Sequence, residues 1–262
     1  MSVHIHATAI VSPEAEIGEN VVIGPYSVID GKVSIGSGTV LGAFVRVMNF
    51  VSIGADCRIW ENAVLGGEPQ DHDFKGEESW VRIGDGVVLR EAVTVNRASG
   101  EGNETVVGDR TMLMEGVHVA HNVRVGKDVT VANKSGLSGY SSLGDGTVMS
   151  GLSGLHQFVS VGKYCMVGGA SKVVKDVPHY AMVDGHPAKV YGLNVVGLRR
   201  AGFTSEQRLD IKRAYRTLYR SGLTTKEATA LLREQMGDDP LIGDMLDFID
   251  AGKRGLCSWA RR

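Results

Sequence analysis

Aliphatic residues recur at every sixth position along most of the chain. The pattern runs from Ile5 to Leu65, resumes from Ile83 to Val95, and continues from Val107 to Val173. A small or β-branched residue stands two positions before each aliphatic one. A period of six matches neither the 3.6 residues of a helical turn nor the alternation of one long strand. The pattern therefore predicts a short strand and a turn, repeated many times.

Three such units close a triangular coil of about 18 residues, and successive coils stack into a solenoid. The aliphatic side chain and the small one before it share the inner face, because side chains alternate along a strand. The glycine that often follows, as at Gly24 and Gly36, is expected to adopt a turn conformation with positive φ. A chance rhythm in an α/β protein would not keep its register over both long blocks. We predict an all-β parallel β-helix over residues 1–190.

Two segments fall out of register, residues 67–80 and residues 98–104. They are rich in Gly, Glu, Asp, Asn and Ser, and the first contains Pro69. Such compositions favour loops, so both segments are expected to project outward from the coils. Loops on a rigid scaffold often carry function, although simple decoration is the alternative.

The six-residue rhythm stops after Val174, and residues 191–262 are predicted to form a C-terminal helical domain. Thr204 with Gln207, and Thr224 with Glu227, have the form of capping boxes that open helices. Asp239-Pro240 is expected to open a further helix. A β-helix end exposes unpaired strand edges, so these helices are expected to cover one end of the solenoid.

Composition narrows the possible surroundings of the protein. The net charge of −2 favours no nucleic-acid partner. The three cysteines form no CxxC pair, which suits a reducing compartment rather than a disulfide framework. We found no apolar stretch of ~18 residues and no basic region followed by an apolar run at the start. The expectation is a cytoplasmic protein without stable membrane insertion.

Three histidines are candidates for chemistry on the coils. His118 lies between inward Val117 and Val119 and should point outward, and His121, in the turn that follows, is expected on the surface. His156 lies two coils further along, close to His121 in the coil lattice. Such histidines suit general base catalysis near neutral pH. They would equally suit a three-histidine zinc site with an open fourth position, or simply be surface residues.

Several sequence strings together resemble the UDP-N-acetylglucosamine acyltransferase family over the whole chain. These strings are 66–71, 114–121, 155–158, 167–169, 176–178 and 194–200. The resemblance implies a left-handed coil and a homotrimer with active sites between subunits. It also implies transfer of a (3R)-hydroxyacyl chain to the 3-position of UDP-N-acetylglucosamine, the first step of lipid A biosynthesis. The donor would be acyl carrier protein with its phosphopantetheine thioester, with no further cofactor and no metal.

The resemblance also implies roles for individual residues. His121 matches the general base, and the backbone N–H of Gly139 matches the oxyanion donor, one 18-residue coil further along. Gly169 matches the position that limits acyl length, where a glycine leaves room for a longer chain. Contacts to the sugar nucleotide or the acyl chain are implied for Gln70, Asp71, His118, Tyr140, His156, Gln157, Asn194 and Arg200.

Five positions depart from the family pattern. Tyr140 stands where relatives often carry a histidine, Asp73 where a lysine is expected, and Asn122 where an aspartate often follows the base. In the tail, Val196 and Ala201 stand where some relatives have Glu and Arg. Tyr140 and Asp73 leave open a 3-amino sugar nucleotide as the acceptor, which would give an amide.

Other functions also remain open at this stage. One is a zinc hydratase resembling the γ-type carbonic anhydrases. The others are a coenzyme A-dependent acetyltransferase and a non-catalytic scaffold. A basic set in the helical part would either receive an acidic carrier protein or form a solvated face. It comprises Arg199, Arg200, Lys212, Arg213, Arg216 and Arg220.

Overall fold

The computed structural model describes residues 2–260 and shows a β-helix followed by a helical segment. Within that range the strands are β1 (His4–Ile5), β2 (Ile10–Val11), β3 (Glu16–Ile17), β4 (Val22–Ile23), β5 (Val28–Ile29), β6 (Val33–Ile35), β7 (Val40–Leu41), β8 (Arg46–Val47), β9 (Val51–Ile53), β10 (Arg58–Ile59), β11 (Val64–Gly67), β12 (Trp80–Ile83), β13 (Val88–Leu89), β14 (Thr94–Asn96), β15 (Glu104–Val107), β16 (Met112–Leu113), β17 (His118–Val119), β18 (Arg124–Val125), β19 (Thr130–Val131), β20 (Gly136–Leu137), β21 (Ser142–Leu143), β22 (Val148–Met149), β23 (Gly154–Leu155), β24 (Ser160–Val161), β25 (Met166–Val167), β26 (Lys172–Val173), β27 (Ala181–Gly185) and β28 (Ala188–Leu193). The helices are α1 (Val195–Arg200), α2 (Ser205–Arg220), α3 (Thr225–Met236) and α4 (Pro240–Ala251).

Every third strand pairs in parallel, which gives three long sheets around one core. Sheet A runs from β1 through β4 to β25 and ends with β27 and β28, sheet B runs from β2 to β26, and sheet C runs from β3 to β24. The usual register is 18 residues, as in His118 opposite Gly136 and Gly136 opposite Gly154. The predicted triangular coil is therefore present, with corners between sheets A and B, B and C, and C and A.

The core is filled by the inward positions of the repeat. The aliphatic residues from Ile23 to Val173 are almost completely buried, as the period predicts. At six of the described inward Ser or Thr positions the hydroxyl donates to a turn carbonyl 15 residues further along. Thr147 Oγ1 donates to the Gly162 oxygen at 2.7 Å, and Ser135 Oγ to the Ser150 oxygen at 3.0 Å. Nearly all of these polar groups are tolerated inside the coil because they have a partner; the buried Ser141 hydroxyl is the exception, with none among the described residues.

The glycine after the aliphatic position has a different role from the one expected. Positive φ occurs two residues later, at side chains such as Asn122 (59°) and Tyr140 (60°). A Cβ on Gly24 would lie 2.5 Å from the Gly42 oxygen, and one on Gly36 would lie 2.5 Å from the Ala55 nitrogen. At Gly24 and Gly36 glycine is therefore required by the close approach of successive coils, and the expectation of a positive φ is wrong there. The expectation holds at Gly66, where φ is 84°.

Both out-of-register segments leave the coil at the corner between sheets B and C. The first loop lies between β11 and β12, and the second lies between β14 and β15. Each lengthens its coil, so that Arg58 pairs with Val88 and Thr94 pairs with His118. The two loops therefore cover the same part of the surface.

The helical segment covers the C-terminal end of the β-helix. Thr204 and Thr224 form the two predicted capping boxes, and Asp239 caps α4. The Tyr215 hydroxyl donates to the His179 carbonyl at 2.6 Å, which ties α2 to the last coil. β28 continues past residue 190, and Trp259 bridges back to Val190. No helix in the described range is long and apolar enough to cross a membrane.

Candidate active site

The corner between sheets B and C stacks three residues of interest at 18-residue spacing. His121 lies below Gly139, and Gly139 lies below Gln157. Backbone hydrogen bonds hold this column, from the Tyr140 N–H to the His121 oxygen at 3.1 Å and from the Phe158 N–H to the Gly139 oxygen at 3.2 Å. The base and the oxyanion donor implied by the resemblance are thus neighbours.

His121 is buried, with 5% of its surface exposed, so the expectation of a surface histidine is wrong. Its ring meets the edge of Tyr140 with centroids 5.3 Å apart, and the Asp71 carboxylate approaches Nδ1 to 3.8 Å. The sequence pattern placed the turn correctly, but the covering loops are not encoded in the six-residue period.

Two cavities meet at His121. The larger, of about 670 Å³, lies under the loops, and the smaller, of about 210 Å³, lies against sheet B. The larger is lined by Gln70, Asp71, His72, Asp73, Glu77, Ser99, Gly100, Asn103, His121, Tyr140, Gln157 and Phe158. The smaller is lined by Gln70, His118, Ala120, His121, Gly136, Leu137, Ser138, Gly139 and Gln157.

Gly139 lies directly against the His121 ring. A Cβ added at Gly139 would lie 2.5 Å from His121 Nε2, so no other residue fits without moving the imidazole. In the described part of the chain, no group accepts a hydrogen bond from the Gly139 N–H. This amide is available to a ligand beside Nε2.

His118 is fixed on the outer face of sheet B. Thr94, its strand neighbour, places Oγ1 2.7 Å from His118 Nδ1. Burial, and secondarily the nearby His121, lower the pKa of His118. A neutral His118 therefore faces the smaller cavity at physiological pH.

The first loop makes the larger cavity acidic. The Ser99 hydroxyl and then the Asp73 N–H hold the pKa of Asp71 below its usual range. The N–H groups of Gly100 and Lys75 do the same for the pKa of Glu77. These carboxylates remain ionised because hydrogen bonds favour the charged form.

Four of the residues implied by the resemblance lie outside both cavities. His156 is exposed, and its Nδ1 donates to the Gln157 carbonyl at 3.1 Å. Asn194 caps α1, Arg200 is exposed at the end of that helix, and Gly169 lies at the corner between sheets A and B. A single protomer therefore does not bring these four to the base.

Sequence reasoning missed Thr94 and Ser99. Thr94 holds His118, and the Ser99 hydroxyl donates to Asp71 at 2.8 Å. The only sequence signal for a role of Ser99 in the site is its position in an out-of-register segment. Among residues 2–260 no three His, Cys, Asp or Glu side chains converge as metal ligands, so the three-histidine zinc site is not assembled there.

Comparison with known proteins gives the family. A model described as UDP N-acetylglucosamine O-acyltransferase, domain 2, matches residues 176–257, and a bacterial transferase hexapeptide model matches residues 32–67 and 104–139. The acyl-[acyl-carrier-protein]–UDP-N-acetylglucosamine O-acyltransferase of Halorhodospira halophila is 44% identical over 96% of this chain and 98% of its own. The chain belongs to this acyltransferase family. The enzyme of the same name from Thermodesulfovibrio yellowstonii is 44% identical over 97% of this chain and 98% of its own.

Solved members of the acyltransferase family have the same fold. The UDP-N-acetylglucosamine acyltransferase of Francisella novicida superposes with a TM-score of 0.95 at 36% identity, covering 97% of this chain and 94% of its own. The UDP-N-acetylglucosamine acyltransferase of Bacteroides fragilis superposes with a TM-score of 0.92 at 39% identity, covering 96% of this chain and 98% of its own. The prediction of a left-handed parallel β-helix with a C-terminal helical part is confirmed.

Proposed function

We propose that this acyltransferase moves a (3R)-hydroxyacyl chain from acyl carrier protein to the 3-hydroxyl of UDP-N-acetylglucosamine, the first step of lipid A biosynthesis, in the cytoplasm. Family membership over nearly the whole chain supports the substrates. The observation that carries the chemistry is the close approach of Gly139 to His121 Nε2 in a cavity that both residues line, with no acceptor for the Gly139 N–H in the described part of the chain.

In this mechanism His121 acts as the general base. Its Nε2 takes the proton of the sugar 3-hydroxyl as that oxygen attacks the thioester carbonyl. The Gly139 N–H donates to the oxyanion of the tetrahedral intermediate, where charge develops only during reaction. Collapse expels the carrier thiolate, which recovers the proton from His121. The chain passes directly to the sugar, without an acyl-enzyme and without a resident cofactor, because the thioester is already activated.

The acceptor sugar is assigned to the larger cavity. Gln70, Asp71 and Gln157 offer polar groups around His121, and Tyr140 closes one side. Tyr140 stacks on Phe158 with centroids 4.9 Å apart, which gives a flat apolar wall against which a sugar ring can pack.

The donor is assigned to sheet B and to the helical segment. Beyond His118, the outward positions are Gly136 and Gly154, and nothing lies within 4 Å of a Cβ at either. This bare strip leaves room for an extended chain. From the basic set, Lys212, Arg216 and Arg220 line one groove, whereas Arg213 pairs with Asp210 at 2.9 Å. These three cations are suited to an acidic carrier protein.

The outer faces of the sheets support a homotrimer. A closed three-fold assembly joins two different faces of each subunit. The outward positions of sheet A are apolar except at His4, Arg58, Thr130, Asp184 and Lys189, whereas those of sheet C are polar except at Trp80 and Val106. Sheet A presents Val22, Val40, Val88, Met112, Val148, Met166 and Met182. Sheet C presents Glu16, Ser34, Ser52, Arg82, Arg124, Ser142 and Ser160.

We infer that sheet A of one subunit packs against sheet B of the next, with sheet C facing solvent. The corner between sheets A and B would then point to the three-fold axis. This corner carries the exposed Tyr26–Phe44 stack and Leu152. His118 and His121 would lie beside the contact between sheet B of their own subunit and sheet A of the next one. Asn194 and Arg200 follow the last strand of sheet A. These two residues would complete the neighbouring subunit's site.

The reaction is tested by product mass. Purified protein is incubated with (3R)-hydroxyacyl carrier proteins of several lengths and with UDP-N-acetylglucosamine or its 3-amino analogue. An ester of UDP-N-acetylglucosamine is expected, with a longer acyl chain preferred because Gly169 leaves room. Amide product alone would change the acceptor but keep the mechanism. No product with any pair, from folded trimer, would overturn the proposed function.

A further inference from the structure

Asn122, the residue after the base, is held by the main chain of the second loop. Its Oδ1 accepts from the Ser99 N–H at 2.8 Å, and its Nδ2 donates to the Ser99 carbonyl at 3.0 Å. A backbone N–H only donates and a carbonyl only accepts. The two ends of the amide are therefore assigned by their partners, and the flipped orientation would lose both bonds.

The two hydrogen bonds between Asn122 and Ser99 determine which nitrogen of His121 carries the proton. Asn122 Oδ1 also lies 3.0 Å from His121 Nδ1. Because Oδ1 can only accept, Nδ1 must be the donor, and in the neutral ring Nε2 keeps its lone pair. Nε2 is the nitrogen that faces Gly139.

The charge near the base comes from a different segment. Asn122 is neutral, and the carboxylate that approaches His121 is that of Asp71, 3.8 Å from Nδ1. Ser99 holds this carboxylate through its hydroxyl at 2.8 Å, while its main chain holds Asn122. One residue of the second loop therefore positions both partners of the imidazole.

We propose that Asn122 is a positioning residue that fixes the proton of His121 on Nδ1 without adding charge, and that Ser99 sets it in place. This inference rests on the proposed function, in which Nε2 is the base. A carboxylate at residue 122 would still accept from Nδ1. Its second oxygen would face the Ser99 carbonyl across about the 3.0 Å now spanned by Nδ2. The main chain of the second loop therefore favours an amide over a carboxylate at residue 122.

Other charged or titratable groups also face His121 and contribute to any pH dependence. From the first loop these are Asp71, His72, Asp73 and Glu77, from the strand before His121 it is His118, and from the next coil it is Tyr140. None is altered in the variants below, so their contribution is common to all of them.

The kinetic test measures kcat and KM against pH for Asn122→Ala and Asn122→Asp. The alanine variant leaves Nδ1 without its acceptor, so both tautomers are populated. We expect kcat to fall roughly tenfold to a hundredfold with KM within a few-fold and the acid limb of kcat/KM unmoved. The aspartate variant restores an acceptor and adds a charge. Its acid limb should move to higher pH by about one unit, because an adjacent carboxylate favours the imidazolium.

Asn20→Ala is the matched control. Asn20 has φ of 58°, against 59° for Asn122, so both alanine variants incur the same left-handed backbone cost. Asn20 lies on the corner between sheets C and A, away from the site. Its variant should keep wild-type kcat and pH profile.

The tautomer is read without activity, from long-range ¹H–¹⁵N spectra of histidine-labelled protein assigned with His121→Gln. At pH 8 we expect His121 to show a protonated Nδ1 and an unprotonated Nε2, and Asn122→Ala to lose this preference. An unchanged tautomer and unchanged kcat in Asn122→Ala, or an unmoved acid limb in Asn122→Asp, would overturn the inference. If wild type transferred no acyl group, the proposed function would fail, yet the spectra would still decide the tautomer.

Discussion

The residues around His121 show how closely one imidazole can be confined by its own chain. Gly139 lies against Nε2, Asn122 holds Nδ1, and Tyr140 meets the ring edge. Two of these residues follow from the 18-residue coil, since residues 139 and 140 stack on 121 and 122. The sequence therefore predicted which residues would be neighbours. It did not predict the burial of His121, which depends on two loops that the repeat does not specify.

Replacing Gly139 by alanine should displace the base. The new Cβ would lie 2.5 Å from Nε2, a distance that real side chains do not tolerate, so the ring must move away from the acceptor oxygen. We expect kcat to fall roughly a hundredfold or more, because a misplaced base loses most of its contribution. Gly67→Ala is the control, since its Cβ would meet nothing closer than 3.5 Å. Wild-type kcat in Gly139→Ala would contradict the geometry.

At the scale of elements, the helical segment is joined to the β-helix through His179. This side chain is buried, its Nδ1 accepts from the Lys163 N–H at 3.2 Å, and its ring packs on Phe248 of α4. Nε2 lies 3.3 Å from Asp244 Oδ2 without the alignment of a hydrogen bond. The capping residues predicted where the helices begin. The end of the β-helix that they cover, and the contacts they make with it, depend on packing that local sequence patterns do not encode.

This junction should make stability depend on pH. Burial lowers the pKa of His179 to about 4, although Asp244 acts in the opposite direction. In the unfolded chain histidine titrates near 6.5, so between pH 6.5 and about 4 the unfolded state binds more protons. The contribution of neutral His179 to the free energy of unfolding is complete above pH 6.5. It is lost as the pH falls towards 4, which lowers the free energy of unfolding by about 3 kcal/mol in all. Urea midpoints at pH 7.5, 6 and 5, at one protein concentration, measure this loss.

His179→Gln removes the titrating group and should flatten that part of the pH dependence. His6→Gln, at an exposed histidine, should leave it unchanged. Equal slopes in wild type and His179→Gln would contradict the assignment.

At the scale of the whole molecule, the three sheets have different outer faces. The repeat predicted the coil and its inward positions, because burial follows directly from the period. It could not assign outer faces to neighbours, since an outward Val22 or Glu16 satisfies the repeat equally well. The apolar face of sheet A and the position of Asn194 and Arg200 after its last strand support a site shared between subunits.

Subunit complementation tests this shared site. His121→Ala and Arg200→Ala, each expected to be inactive or nearly so, are co-expressed with different tags, and the mixed oligomers are purified. In the proposed homotrimer each mixed assembly contains one subunit contact with both residues intact, so about one third of wild-type activity should return. If both residues served the site of a single chain, the mixed trimers would show only the residual activity of the parents.

The most direct test of the account is acyl transfer by His121→Ala, with His6→Ala as the control histidine. Ester formation from (3R)-hydroxyacyl carrier protein and UDP-N-acetylglucosamine is followed by mass, together with the intact mass of the enzyme. We predict loss of ester in His121→Ala, normal rates in His6→Ala, and no acylated enzyme in any sample. Ester formation at the wild-type rate by His121→Ala, or an acyl adduct that forms and decays during turnover, would contradict direct transfer with His121 as the base.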